Sequence, residues 1–450
     1  MKRVFLISTL WLLSVGYTQA QESVLQGYIQ EGLQSNLQLQ SEELRYQKSI
    51  SGLQSARSLF LPQVTFKADY TLAGGGRKIE FPIGDLLNPV YSTLNELTGT
   101  NNFPQVRNEE IQFLPNNFHD TKFRIIQPLF NPEIYFNYKA NKELISVQEA
   151  QKQAYAQELK LAISQAYFQY WQTEEGLKIL AEAKLVLEEV AKLNRSLVAN
   201  DKATQEVVLQ TEYELAQLEK GKAELQRDNQ ALKAYFNFLL NRDLQSEILP
   251  ESTALVLNDG PESAEALREQ ALSQRAEIKQ AEAGLAANQT VLSLTNSKRY
   301  LPTLLAVGDV GYQGFGYEWK DQDYWLVQFS LSWDLFKGGE KKAKYQQARI
   351  DSEISANQVD QLKQQVELQV IRAYYELEAA EANYLSAQKG TQSSEKSFQL
   401  VEARYRNGQA ILLEYLDAQN KVTTARLNEN LARYTLMIQQ AALNRTIANL

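Results

Sequence analysis

The chain has no cysteine among its 450 residues, one histidine and two methionines. It therefore has no disulfide and no thiolate metal site, and little is left for soft-metal ligation. Basic residues are the minority. Past residue 20 there are 44 against 54 acidic ones, a net charge of −10 and the wrong sign for a general nucleic-acid binder. Also missing beyond Ala20 is any run of about 18 apolar residues, which excludes a membrane-spanning helix but leaves a β-barrel open, because barrel strands need only alternate. Catalytic groups are equally sparse. The lone histidine, His119, is expected in a loop, so no Ser-His-Asp arrangement can be drawn. Gly74-Gly75-Gly76-Arg77-Lys78 lacks P-loop spacing and is not followed by a helical pattern. The sequence predicts no enzyme, no cofactor and no metal.

What is present begins with a leader. Lys2 and Arg3 precede a mostly apolar stretch from Val4 to Val15, and Thr18-Gln19-Ala20 offers small residues for cleavage. Residues 1–20 read as a secretory signal peptide, too short to span a bilayer.

The rest of the chain repeats one unit. Leu61-Pro62 returns as Leu301-Pro302 at an offset of 240, and Leu129-Phe130 as Leu335-Phe336 at an offset of 206. Beyond that the offset holds near 207, pairing Ala166-Tyr167 with Ala373-Tyr374, Ala203 with Ala410 and Leu209 with Leu416. Such a register decides architecture before any site argument. Each unit reads as long helix, β-hairpin, long helix. The first repeat is expected over 21–245, with its hairpin at about 62–130 and a long irregular loop at about 74–118. A connector follows at 246–262, then a second repeat over 263–450 with its hairpin at about 302–336. Period-two alternation marks the strands: Val64, Phe66, Ala68, Tyr70 and Leu72 against Gln63, Thr65, Lys67, Asp69 and Thr71. Trp325, Val327, Phe329, Leu331 and Trp333 alternate in the same way.

Helices are expected over 22–60, 132–200, 203–240, 262–301, 340–406 and 410–447. One of about 65 residues is about 100 Å long, more than a compact domain needs. Tyr415, Ala418, Val422 and Ala425 form a narrow coiled-coil seam, with Val208, Thr211, Leu215 and Leu218 as their first-repeat counterparts. Four strands are half of the smallest membrane barrel of about 8, so the open edges must pair with other copies. Cyclic symmetry closes them, and three copies supply twelve strands.

With the leader and the doubled unit, the Leu-Pro and Leu-Phe borders, Tyr405-Arg406-Asn407-Gly408 and Leu416-Asp417-Ala418-Gln419 make this chain resemble the TolC-like outer-membrane efflux proteins, the outer-membrane factors of tripartite export systems. The resemblance spans the whole mature chain. The fold it implies is mostly α with a small β part. A homotrimer would join a 12-stranded outer-membrane barrel to a long periplasmic α-helical barrel, with the connector in an equatorial belt. A periplasmic adaptor and an inner-membrane pump would be the partners, and the protein a passive exit duct.

Family positions fall on Glu414 and Asp417 as a pore constriction, and three residues of spacing place both on one helix face. Tyr405 matches the family's gate latch, with Glu206 near the opposing position. The latch arginine falls on Ala410, a departure from the pattern that leaves Tyr405 either latch or packing residue. Gly408 reads as a turn, with Asp201-Lys202 in its place in the first repeat. Tyr70, Phe123, Tyr312, Trp325 and Trp333 are candidates for the aromatic girdle facing lipid. Two rival readings are an exported coiled-coil scaffold or adhesin without a pore and an exported hydrolase. The first does not explain two bordered, alternating hairpins, and the missing catalytic groups argue against the second.

Overall fold

The computed structural model describes residues 23–250 and 263–449. The expected signal peptide and residues 251–262 of the expected connector lie outside the described residues.

The first half runs α1 (Val24–Ser35), α2 (Leu37–Ser58), β1 (Gln63–Thr71), β2 (Lys78–Phe81), α3 (Ile83–Thr98), β3 (Glu109–Gln112), β4 (Phe118–Phe130), α4 (Pro132–Ala199) and α5 (Glu206–Leu239). The second runs α6 (Ala264–Gln274), α7 (Ala276–Tyr300), β5 (Thr303–Phe315), β6 (Asp323–Ser332), α8 (Glu340–Arg406) and α9 (Leu412–Thr446). Two compact units cut across the repeats rather than following them. One takes the chain up to Lys48 with Ile145–Gly284 and Ser355 onward, and the other takes Ser49–Leu144 and Leu285–Ile354.

The helical unit holds two cores that correspond residue by residue. Leu159, Ile163, Ala166, Tyr170 and Phe236 are buried in one; Val366, Val370, Ala373, Leu377 and Leu443, each 207 later, are buried in the other. Tyr28 and Leu267, which precede the hairpins, match at an offset of 239. Each large side chain buried here contributes about 1.5–3 kcal/mol. A third cluster joins the repeats: Leu187 and Val190 of α4 pack with Leu412, Tyr415 and Leu416 of α9. Polar bridges run beside it. Arg426 reaches both Glu395 and Glu182, and the Asn430 amide donates to the Gln172 carbonyl at 2.7 Å.

The continuous helices expected at 22–60 and 262–301 are each broken once. At Asn36 the backbone turns extended, its Oδ1 accepts from the amides of Gln38 and Leu39 at 3.0 Å, and its Nδ2 donates to the Leu239 carbonyl. A side chain that can bond the local backbone offers an alternative to the helix ladder, and here it caps α2. Arg275 breaks the second copy at the equivalent place, its guanidinium buried against Glu277 and Gln369. Burial pushes the Glu277 carboxyl up, but Arg275 and Arg445 outweigh it and hold the group below its ordinary value.

The helical turns show the repeat at single-residue resolution. Gly408 ends α8 in the left-handed region (φ 69°), and Asp201, 207 residues earlier, takes the same conformation (φ 58°). Both turns close alike: Gln409 N–H bonds the Arg404 carbonyl at 2.8 Å, and Lys202 N–H bonds the Leu197 carbonyl at 2.8 Å. A Cβ in that region is sterically costly and glycine is not. Asp201→Gly is therefore expected to stabilise the first-repeat turn by up to about 1 kcal/mol, read as a raised melting temperature, with Gly408→Asp moving it the other way.

In the other unit β1, β4, β5 and β6 form one antiparallel sheet in that order. The two hairpins thus meet along β4 and β5, and each outer strand has one free edge. The sequence reads 74–118 as irregular, yet it folds. β2 pairs with β3, and α3 lies against residues 103–108 through asparagine side chains. Asn88 exchanges two hydrogen bonds with the backbone of Val106, Asn95 does the same with Phe103, and Asn108 bonds Asp85. Gly84 allows the close approach, since a Cβ there would sit 2.4 Å from the Val106 carbonyl oxygen. Asparagine reads as a turn residue in sequence. Here its amide replaces a missing backbone ladder.

Candidate channel and gate residues

The sheet has two chemically different faces, and the strand registers define them. Phe66, Phe123, Val310 and Trp325 form one row across all four strands; Val64, Ile125, Gly308 and Val327 form another on the same face. These apolar side chains stand exposed, Trp325 by 78%. Such a continuous apolar sheet face is compatible with lipid. The opposite face is polar: the Arg124 guanidinium donates to both oxygens of Asp309 (2.8 and 2.7 Å), Tyr324 donates to Asp120, and Lys122 pairs with Asp120.

Of the expected girdle residues, Tyr70 and Tyr312 lie toward one end of the sheet, with Tyr317 and Trp319 packed against them, and Trp333 follows β6 at the other end. Phe123 and Trp325 sit between, within the apolar band. No described helix is long and apolar enough to cross a membrane. His119 is a correction to the expected loop: it belongs to β4 and is fully buried beneath the β5–β6 turn. Its Nε2 bonds Gln322 Oε1 at 2.6 Å and faces the Glu318 carbonyl at 3.1 Å, an amide and a backbone oxygen rather than a catalytic partner.

Glu414 and Asp417 stand on the exposed face of α9, while Tyr415, Leu416 and Ala418 turn inward. Glu414 pairs with Arg404 at 3.3 Å, and Asp417 with Lys421 at 2.6 Å. Exposed pairs of this kind are worth about 0–1 kcal/mol, so neither carboxylate is committed to its partner.

Tyr405 does not hydrogen-bond to Glu206. Its phenol donates to Asn194 Oδ1 at 2.6 Å, and Asn194 Nδ2 donates to Thr211 Oγ1 at 2.9 Å. Asn194 and Thr211 are completely buried. The bond ties α8 of the second repeat to α4 of the first, beside the cluster of Leu187, Val190 and Tyr415. Burial pushes the Tyr405 phenol above its ordinary pKa, against a smaller opposing effect of Asn194, and keeps it a proton donor. Asn194 carries no mark in the sequence beyond being a polar residue on a helix face otherwise given to the seam.

Tandem helix–hairpin–helix units whose open sheet has one lipid-compatible face have the build of an outer-membrane channel protein. Residues 267–449 match the family "Outer membrane efflux protein". Outer membrane protein TolC of Salmonella enteritidis is 22% identical over 450 residues, covering 95% of this chain and 82% of that protein. Among solved structures, the Campylobacter jejuni CmeC outer membrane channel superposes with a TM-score of 0.79 at 15% identity, covering 95% of this chain and 86% of its own. The outer membrane protein VceC from Vibrio cholerae gives 0.76 at 16%, with 94% and 95% covered. At these identities the structures carry the fold, and the family match is carried by the second repeat. The second repeat thus matches the outer-membrane efflux family and the whole chain has the TolC-like channel fold, which places it in the outer membrane and extending into the periplasm.

Proposed function

We propose that three copies close their four-stranded sheets into one twelve-stranded barrel and serve as the passive exit duct of a tripartite efflux or type I secretion system. The observation that carries this is the sheet itself, with an uncovered apolar face and free edges on β1 and β6. Free edges of this kind demand a partner, and in lipid only closure satisfies them. A periplasmic adaptor and an inner-membrane pump supply docking and energy. Glu414 and Asp417 from three copies form two stacked acidic rings at the periplasmic end, favouring cations. The first-repeat equivalents are Val207 and Gln210, so the rings come from the second repeat alone.

The test is conductance in a planar bilayer, wild type against Glu414→Ala/Asp417→Ala. The wild type is expected to be cation-selective and blocked from one side by multivalent cations. In the double variant the blocking concentration rises on the order of tenfold or more, since each ion–carboxylate contact is worth about 1 kcal/mol even at aqueous dielectric. An unchanged block removes the rings and leaves the duct. A chain that is soluble and monomeric without detergent favours the scaffold reading.

A further inference from the structure

The insert between β1 and β4 carries an apolar stripe that no described residue of its own chain covers. α3 turns Gly84, Leu87, Asn88, Tyr91 and Asn95 toward its own loop. Ile83, Leu86, Val90 and Leu97 face away, with Leu86 and Leu97 70% and 78% exposed. These residues recur at spacings of three, four and seven, which makes a helix face rather than scattered exposure. The helix is also held in place. The Ala73 amide donates to Asn116 Oδ1, Gln112 donates to the Ala73 carbonyl, and the asparagine contacts brace α3.

Its position selects what covers it. The insert leaves the sheet at Thr71, the last residue of edge strand β1. The register puts Thr71 opposite Phe118 and Phe118 opposite Phe315, so the β5–β6 turn lies at the same end of the sheet. In a closed ring β1 of one copy lies beside β6 of the next, about 4.8 Å away, and the neighbour's β5–β6 turn is within about 10 Å. A helix of 16 residues is about 24 Å long and easily spans that distance. The turn offers apolar rings, with Phe315, Tyr317 and Trp319 all exposed. A lipid surface is the poorer match: residues 74–118 hold five acidic side chains against three basic ones, unsuited to anionic headgroups.

We propose that the outward stripe of α3 packs on the β5–β6 turn of a second copy of this chain, clasping adjacent subunits at the end of the sheet where the insert emerges. The inference rests on the ring assembly proposed above. It gives the insert a specific task, holding the assembly closed where the β1 edge ends.

The absence of cysteine makes the test direct. A Val90→Cys/Lys320→Cys variant in intact outer membranes is treated with a short bis-maleimide, alongside each single variant. A Phe66→Cys/Val327→Cys pair serves as the control across the β1–β6 edge. Dimer and trimer bands from both pairs, absent from the single variants, are the expected result. Links in the control pair but only monomer from the insert pair would overturn the clasp and leave the ring intact. No multimer from either pair would overturn both. A Leu86→Asp/Leu97→Asp variant gives a second readout, an assembled form that dissociates at lower temperature while the monomer fold is kept. An unchanged dissociation temperature counts against the clasp.

Discussion

Tyr405→Phe raises the conductance of the reconstituted channel, and Glu206→Gln leaves it unchanged. The phenol is the donor to Asn194 Oδ1, and Asn194 is fully buried. Removing the hydroxyl leaves that oxygen without its donor, at a cost of about 1–3 kcal/mol. If the bond exists only in the closed arrangement of α4 and α8, the same energy shifts the open population by about 5- to 150-fold per subunit. Asn194→Ala is expected to act in the same direction and to leave Thr211 Oγ1 short of a donor as well. The variants share one interaction, so their effects should fall short of additive. Single-channel recording checks the order of conductances. A Tyr405→Phe channel that melts at lower temperature yet conducts like wild type would make Tyr405 a packing residue against Tyr415, whose ring lies 5.0 Å away, tilted by 41°.

The second large effect is in the sheet. Gly311→Val should abolish the assembled channel, whereas Gly308→Val should be tolerated. A Cβ at Gly311 would lie 2.2 Å from the Thr121 carbonyl oxygen and 2.6 Å from the Lys122 Cα. These are backbone atoms of β4, which cannot step aside without parting the β4–β5 pair that joins the two hairpins. Overpacking typically costs about 1–3 kcal/mol, and a backbone clash in a paired strand belongs at or beyond the top of that range. At Gly308 the nearest atom is the Leu326 carbonyl oxygen at 4.0 Å, so the added side chain meets open space on the apolar face. Temperature-dependent gel mobility and outer-membrane content of the two variants check the contrast.

The repeat, the strand faces and the limits of the long helices α4, α5, α8 and α9 were legible in the sequence. A strand with one apolar face alternates at period two, and a helix seam recurs at about three and a half, wherever the partner lies. Leu159 and Val366 fill equivalent core positions because the same pattern was written twice in one register. Turn chemistry was legible at Gly408, and at Asp201 once the repeat was aligned.

The tertiary structure alone decided the partners of polar groups. Tyr405 finds Asn194 across 211 residues of chain, and Arg124 finds Asp309 across 185. It also decided the fold of 74–118, where amide side chains of Asn88 and Asn95 replace a ladder that no periodicity announces. The helix breaks at Asn36 and Arg275 belong here too, since each is fixed by bonds to residues on other helices as well as to its own neighbours. Apolar burial is a property of a face and leaves a period in the sequence. A directional hydrogen bond is a property of two atoms brought within about 3 Å, and it leaves none.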